Sequence, residues 1–199
     1  MTTTAQKKTT TRTKAKPTTE VIDNLPANPF VFEVLHLASK QKSNAKKVEV
    51  LQKYDHPSLK AIMIWNFDES IITMLPDGPV PYSAFEDQTV HSGTLSTKIT
   101  EEVRRMHETG SFSLGSSDKQ GHTTIRKEYV NFYHFIKGGN DGLNNIRRES
   151  MFINLLQGLH PLEAEIICLV KDKKLADKYK ITKEIVAEAY PDIQWGGRS

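Results

Sequence analysis

From Lys137 to Trp195 the chain reads KGGNDGLNNIRRESMFINLLQGLHPLEAEIICLVKDKKLADKYKITKEIVAEAYPDIQW. Apolar residues recur there at every third or fourth position, and glycine or proline breaks the run at Gly138-Gly139, Gly158, Pro161 and Pro191. A strand would need alternation at every second residue, so this stretch folds as three successive helical units. The first is expected from Asp141 or Gly142 to about Gln157, with Ile146, Ile153 and Leu156 inside and Arg147 and Arg148 outside. The second begins at Pro161 and turns Leu162, Ile166, Leu169 and Val170 inward, with Lys171, Lys173 and Lys174 at its C-terminus, where cations complement the macrodipole. The third is short, capped by Thr182, with Ile185, Val186 and Ala189 inside and Pro191 closing it.

The same period runs through most of the chain before this stretch. Asn28 is expected to cap a helix with Pro29 at its first position, and Val31, Val34, Leu35 and Ala38 share one face. Ser43 caps a second helix, apolar at Ala45, Val48, Leu51 and Tyr54, which ends at the Asp55-His56-Pro57 turn. A third helix from Ser58 to about Phe67 is apolar on most sides, the mark of burial. Between about 68 and 95 the helical period vanishes and Pro76-Asp77-Gly78-Pro79 signals a turn. Ile71, Ile72 and Met74 there suit either a short strand or an apolar plug. A fourth helix starts at Ser96 or Thr97, with Ile99, Val103 and Met106 inward and Glu101, Glu102, Arg104 and Arg105 outward. The Ser/Gly-rich segment from Gly110 to Gly121 reads as a mobile loop. A fifth helix is expected over about Ile125 to Ile136, with Tyr129, Phe132 and Tyr133 in the core. The fold class is therefore all-α, a single multi-helix domain over 25–199.

Charge is distributed unevenly. Residues 1–24 are rich in threonine and lysine without apolar periodicity and are expected to be a disordered basic arm. Lys7, Lys8, Arg12, Lys14 and Lys16 give the first nineteen residues +5, and residues 20–199 keep 22 basic against 24 acidic side chains, or −2. The domain is thus near neutral, unlike a uniformly basic nucleic-acid-binding domain. Such an arm suits either solubility or attraction to phosphates by counterion release.

Few chemistries fit the rest. Cys168 is the only cysteine and lies in the apolar EIICLV, so no internal disulfide forms and a buried, inert thiol is expected. The seven histidines have no metal-ligand spacing, and neither a Walker motif nor a dinucleotide fingerprint occurs. No acid–base pair stands out, so no enzyme activity, cofactor or metal is expected. No apolar run reaches the length of a membrane span, and the N-terminus lacks the apolar stretch of a secretory signal. One local pattern stands out. Leu175-Ala176, Tyr179, Ile181 and Val186 follow the core spacing of a helix-turn-helix, with Lys180 where the turn glycine usually sits. The helix after that turn exposes Lys183, Glu184 and Glu188, so the pattern reads mainly as packing.

Two stretches carry a family resemblance. VFEVLHLASKQKSNAKKVEVLQKYDHPSLKAIMIWNFDES at residues 31–70 resembles the opening of the N-terminal, non-catalytic DNA-binding domain of ATP-dependent DNA ligases, especially the phage T4 type. Its order is helix, short basic turn, helix, acidic turn, helix. Gly139-Asn140 through Ile193 resembles that domain's close, including the aromatic-proline end at Tyr190-Pro191. The KxDG nucleotidyltransferase motif is absent, so the resemblance implies the binding module without the enzyme. The whole chain is also similar to small uncharacterised proteins of T4-like tailed phages. The ligase domain grips duplex backbone through helix ends and basic turns. The resemblance therefore implies DNA-contacting residues at Lys40, Lys42, Ser43, Lys46 and Lys47 in the first turn. It implies Lys171, Lys173, Lys174, Thr182 and Lys183 in the last.

The expectation is a non-enzymatic, sequence-tolerant duplex DNA-binding accessory protein of phage replication, repair or recombination. The resemblance would place it in the cytoplasm of an infected bacterial host or in the virion. The alternative is a protein-binding adaptor or virion component on the same helical scaffold, with a phage or host protein as partner. No membrane association is expected.

Overall fold

The computed structural model describes residues 24–84, 93–110 and 121–198. The described residues form α1 (Val31–Ser39), α2 (Asn44–Lys53), α3 (Pro57–Phe67), α4 (Leu95–Glu108), α5 (Ile125–Glu128), a 3-10 helix (Tyr129–Phe135), α6 (Asn145–Gly158), α7 (Pro161–Lys171), α8 (Leu175–Tyr179) and α9 (Lys183–Ala189). The chain is all-α: among the described residues there is no strand, only isolated bridges at Thr73–Ile136 and Thr123–Leu159. The expected basic arm lies outside the described residues except for Asn24, as do parts of the insert at 68–95 and most of the loop at 110–121.

Local chemistry starts these helices. The Ser43 hydroxyl accepts from the Lys46 amide at 3.3 Å, and Thr94 and Asn144 cap α4 and α6 in the same way. A His-Pro pair opens both α3 and α7. Pro57 and Pro161 need no amide partner at the first turn, and the Nδ1 atoms of His56 and His160 accept from the amides of Ser58 and Leu162, each at 3.1 Å. Burial holds both imidazoles below their ordinary pKa, which keeps that lone pair available. α1 begins two residues later than Asn28-Pro29 suggested. Glu33 reaches back to the Phe30 amide at 2.8 Å, and the Val31 amide donates to Glu163 at 3.2 Å, so the first free amides are satisfied from Phe30 onward.

α7 lies at the centre and packs against α1, α3, α4, α6 and α8. Its Ile166, Ile167 and Val170 are wholly buried. Burial pushes the Cys168 thiol up to about 11, so it is protonated and unreactive at neutral pH.

Two expectations for the middle and last thirds are corrected, and one choice left open is decided. The fifth helix is α-helical for one turn only and continues as a 3-10 helix. A three-residue repeat puts Tyr129, Phe132 and Phe135 along one edge, where Phe132 and Phe135 pack on Trp65 with ring centroids 5.3 and 6.1 Å apart. Tyr133 falls off that edge and is 46% exposed. Of the strand and the apolar plug left open for the segment after α3, the plug is the one found. Ile71 and Leu75 plug the core, and the Met74 and Lys137 amides bond Phe135 and Ile72 across the Thr73–Ile136 bridge. The second correction is at α6. Arg148, expected outside, is fully buried, and Ile146, expected inside, is 44% exposed. α6 starts at Asn145, so Ile146 sits one turn beyond the core, and Arg148 lies four residues before Phe152 on the buried face.

The buried Arg148 organises the loop before α6. Its Nε donates to the His134 carbonyl at 2.9 Å, one terminal nitrogen to Asn145 Oδ1 at 2.6 Å, and the other to the Asn140 and Leu143 carbonyls at 3.0 Å each. Among the described residues no carboxylate lies within salt-bridge distance of it. The loop folds so tightly that a Cβ on Gly139 would stand 2.0 Å from the Tyr133 carbonyl oxygen, which only glycine avoids.

Candidate nucleic-acid interface

The two basic turns implied by the ligase resemblance meet through one contact. Lys47, in the first turn of α2, donates its ammonium to the carbonyl of Lys180 at 2.6 Å. Lys180 is the first of the three residues between α8 and α9, and α2 packs along α9. Of the residues in the helix-turn-helix spacing, Leu175, Tyr179, Ile181 and Val186 are buried and Ala176 is half-buried, with α8 packing on α1 and α7 and α9 on α2. The turn is made without glycine, because Lys180 itself takes the left-handed conformation at φ 53. That conformation costs a side-chain-bearing residue about 1 kcal/mol. The Lys47 contact and the bond from the Lys180 ammonium to the Asp177 carbonyl help to hold it.

The ten candidate residues fall into distinct environments. Lys40, at the C-terminus of α1, and Lys42, Lys46 and Lys174 are exposed. The Ser43 hydroxyl is committed to its cap, and Thr182 bonds the Glu184 carboxylate, whose pKa it lowers. Lys183 lies over the Trp195 ring, 5.2 Å from its centroid.

Lys171 and Lys173 face inward through their ammoniums. Lys171 is 3% exposed and donates to the Pro76 and Gly78 carbonyls at 2.8 and 3.1 Å and to Asp172 at 2.5 Å, which pins the proline-rich turn to α7. Lys173, at φ 59, donates to the carbonyls of Trp65 and Asp68 at the end of α3. Burial lowers its pKa, with Asp68 opposing the shift. The turn between α7 and α8 is therefore built by its own lysines.

Sequence reasoning passed over several groups. Lys178 and Lys180 are exposed and lie in sequence between Lys174 and Thr182, and the helix-turn-helix spacing already marked Lys180. Asp68 is buried and accepts from Ser70, from the Gly196 amide at 3.0 Å and from Arg198 at 2.5 Å. Burial pushes its carboxyl upward, but the Ser70, Gly196 and Arg198 bonds overcome that and bring it down to about 2. Glu163 is wholly buried near the start of α7. Its two oxygens accept from the Val31 and Ile125 amides at 3.2 and 3.1 Å, which ties the N-termini of α1 and α5 together. Burial raises its pKa to about 7, the two amides opposing. Nothing in the spacing of either acid separates it from a surface carboxylate.

Among the described residues no group of three His, Cys, Asp or Glu is arranged to hold a metal ion, and no helix is long and apolar enough to cross a membrane.

A family model described as a family of unknown function (DUF6433) matches residues 34–119 and 114–177, well over half of the chain. The chain belongs to that family. No curated protein and no solved structure matches it.

Proposed function

We propose that the chain is a non-enzymatic accessory protein that binds duplex DNA through its backbone, without sequence preference. The observation that carries this reading is the bond from Lys47 to the Lys180 carbonyl, which brings together basic turns 133 residues apart. Lys40, Lys42 and Lys46 on one turn and Lys174 near the other are exposed cations suited to phosphates, and Lys183 stands beside Trp195. Lys171 and Lys173 serve the turn itself, and Ser43 and Thr182 the helix ends. The ligase-like and phage resemblances supply the setting: phage DNA replication, repair or recombination in an infected bacterium. The near-neutral domain points to modest affinity, with the basic arm adding to it.

A second reading is favoured by a different observation. Ile72, Val130, Tyr133 and Ile146 are large apolar side chains exposed by 44 to 57%. Such residues suit a protein partner, as an adaptor or virion component would need.

The two readings separate in a duplex-binding titration on the full chain and on a chain lacking residues 1–23. The DNA reading expects the shortened chain to keep measurable, salt-sensitive binding. If all binding leaves with the arm, the adaptor reading replaces it.

A further inference from the structure

The five-residue helix α8 is bounded at each end by a lysine in the left-handed backbone region, Lys173 at φ 59 and Lys180 at φ 53. Among the described residues these are the only non-glycine residues with positive φ. Glycine takes that conformation without penalty and is the usual residue just past a helix end. Other residues held there gather at functional sites, so each of these lysines needs a reason.

The fold supplies the reason for Lys173. Its ammonium donates to the Trp65 and Asp68 carbonyls, so the side chain holds the end of α3. Lys180 differs. Its side chain is exposed, and its ammonium donates only to the Asp177 carbonyl, at 2.7 Å, on a residue that is exposed as well. Water serves such a carbonyl nearly as well, so the fold gains little from that cation. The other bond at this turn comes from the Lys47 ammonium and ends on the backbone carbonyl of Lys180, at 2.6 Å. Any residue at that position offers the same acceptor. Folding alone therefore does not account for a lysine here.

We propose that Lys180 contacts a DNA phosphate, and that its left-handed backbone is kept because it presents a cation where the first turn of α2 meets the turn between α8 and α9. The inference rests on the duplex-binding reading and deepens it by adding the α8–α9 turn to the interface. The Lys47 contact brings a second ammonium to this junction, and Lys46 beside it is exposed. Among the described residues no carboxylate lies within salt-bridge distance of the Lys47 or Lys180 ammonium. The acids nearest to Lys180 in sequence are Asp177, whose carbonyl rather than carboxylate takes the ammonium, and Glu184, which Thr182 binds. Lys178 is paired with Glu165 and plays no part. Contacts of this kind position a duplex without reading its sequence.

Urea denaturation and duplex binding, measured together on the full chain and its variants, test this. Lys180→Gly should be more stable than the wild type and yet bind a duplex roughly tenfold more weakly at about 50 mM salt. Its fall in affinity between about 50 and 200 mM should be roughly 3.5-fold smaller, as the loss of one phosphate contact requires. Lys180→Asn, which tolerates the left-handed region and is less pliable than glycine, should bind as weakly as Lys180→Gly. Lys180→Arg, which restores a cation, should rescue binding. Lys173→Gly should lose stability, because that ammonium serves the fold. If the Gly and Asn variants bind like the wild type with an unchanged salt slope, the proposal is overturned and the duplex reading stands. A Lys180→Gly chain less stable than the wild type overturns it too, since the lysine would then be serving the fold. If the full chain itself binds no duplex, the proposal falls together with the reading beneath it.

Discussion

Replacing Arg148 with methionine should be the most damaging single change outside the apolar core. Methionine keeps most of the side-chain stem and removes the guanidinium. Four acceptors then lose their donor: the carbonyls of His134, Asn140 and Leu143, and Asn145 Oδ1. The site is fully buried, so water replaces that donor poorly. At about 1–1.5 kcal/mol for each acceptor the loss is about 4–6 kcal/mol. Removing a desolvated cation with no carboxylate partner returns part of this, leaving about 3–4 kcal/mol. For a chain of this size that lowers Tm by roughly 6–16 °C. Arg148→Lys keeps the charge but not the planar fork, so it should lose about 2 kcal/mol. Urea and thermal denaturation measure both, and amide exchange across 134–145 should rise before the rest of the chain opens. If Arg148→Met stayed within about 0.5 kcal/mol of the wild type, the guanidinium would not organise that loop.

Three further outcomes concern Glu163, His36 and Lys180. Glu163→Gln exchanges one acceptor for a donor that faces an amide, so it should cost about 2–3 kcal/mol in a urea melt. Because the Glu163 pKa is raised to about 7, the folded chain holds that proton more tightly than the unfolded one; the associated stability is full below about 4.5, is lost as pH rises through 7, and the Gln variant should lack that slope. His36 has the opposite sign: its folded pKa is lowered to about 4, so stability should fall as pH drops from about 6.5 toward 4, and His36→Gln should flatten that limb. Lys180→Gly relieves a left-handed lysine and should raise the unfolding free energy by about 0.5–1 kcal/mol in a urea melt, whereas Lys180→Val should lower it.

Helix positions were legible wherever apolar spacing and a cap agreed. Ser43 capped as expected, and Val48, Leu51, Ile166 and Val186 went inside. The misreadings share a cause, because tertiary partners decided them. Arg148 looks like a surface cation until the loop carbonyls that need its five donors come into view. Glu163 looks like a first-turn acid, and only the fold brings the amides of Val31 and Ile125 to it. The 3-10 segment was legible in part. Tyr129, Phe132 and Phe135 recur every three residues, a period easily taken for 3.6 in so short a run. The sequence marks two basic turns, but not which ammoniums they spend on themselves. Lys171 and Lys173 read like Lys174, and only the end of α3 and the proline-rich turn distinguish them.

The most direct measurement is the salt dependence of duplex binding for the full chain and for a Lys42→Ala, Lys46→Ala, Lys174→Ala variant. These side chains are exposed, so the fold should persist. Between about 50 and 200 mM salt, each phosphate contact contributes roughly 0.9 to the slope of log affinity against log salt. The DNA-binding account predicts that the variant binds more weakly to every duplex sequence alike, with a slope shallower by roughly two to three. An unchanged slope and affinity would contradict it, because the two turns would then touch no phosphate.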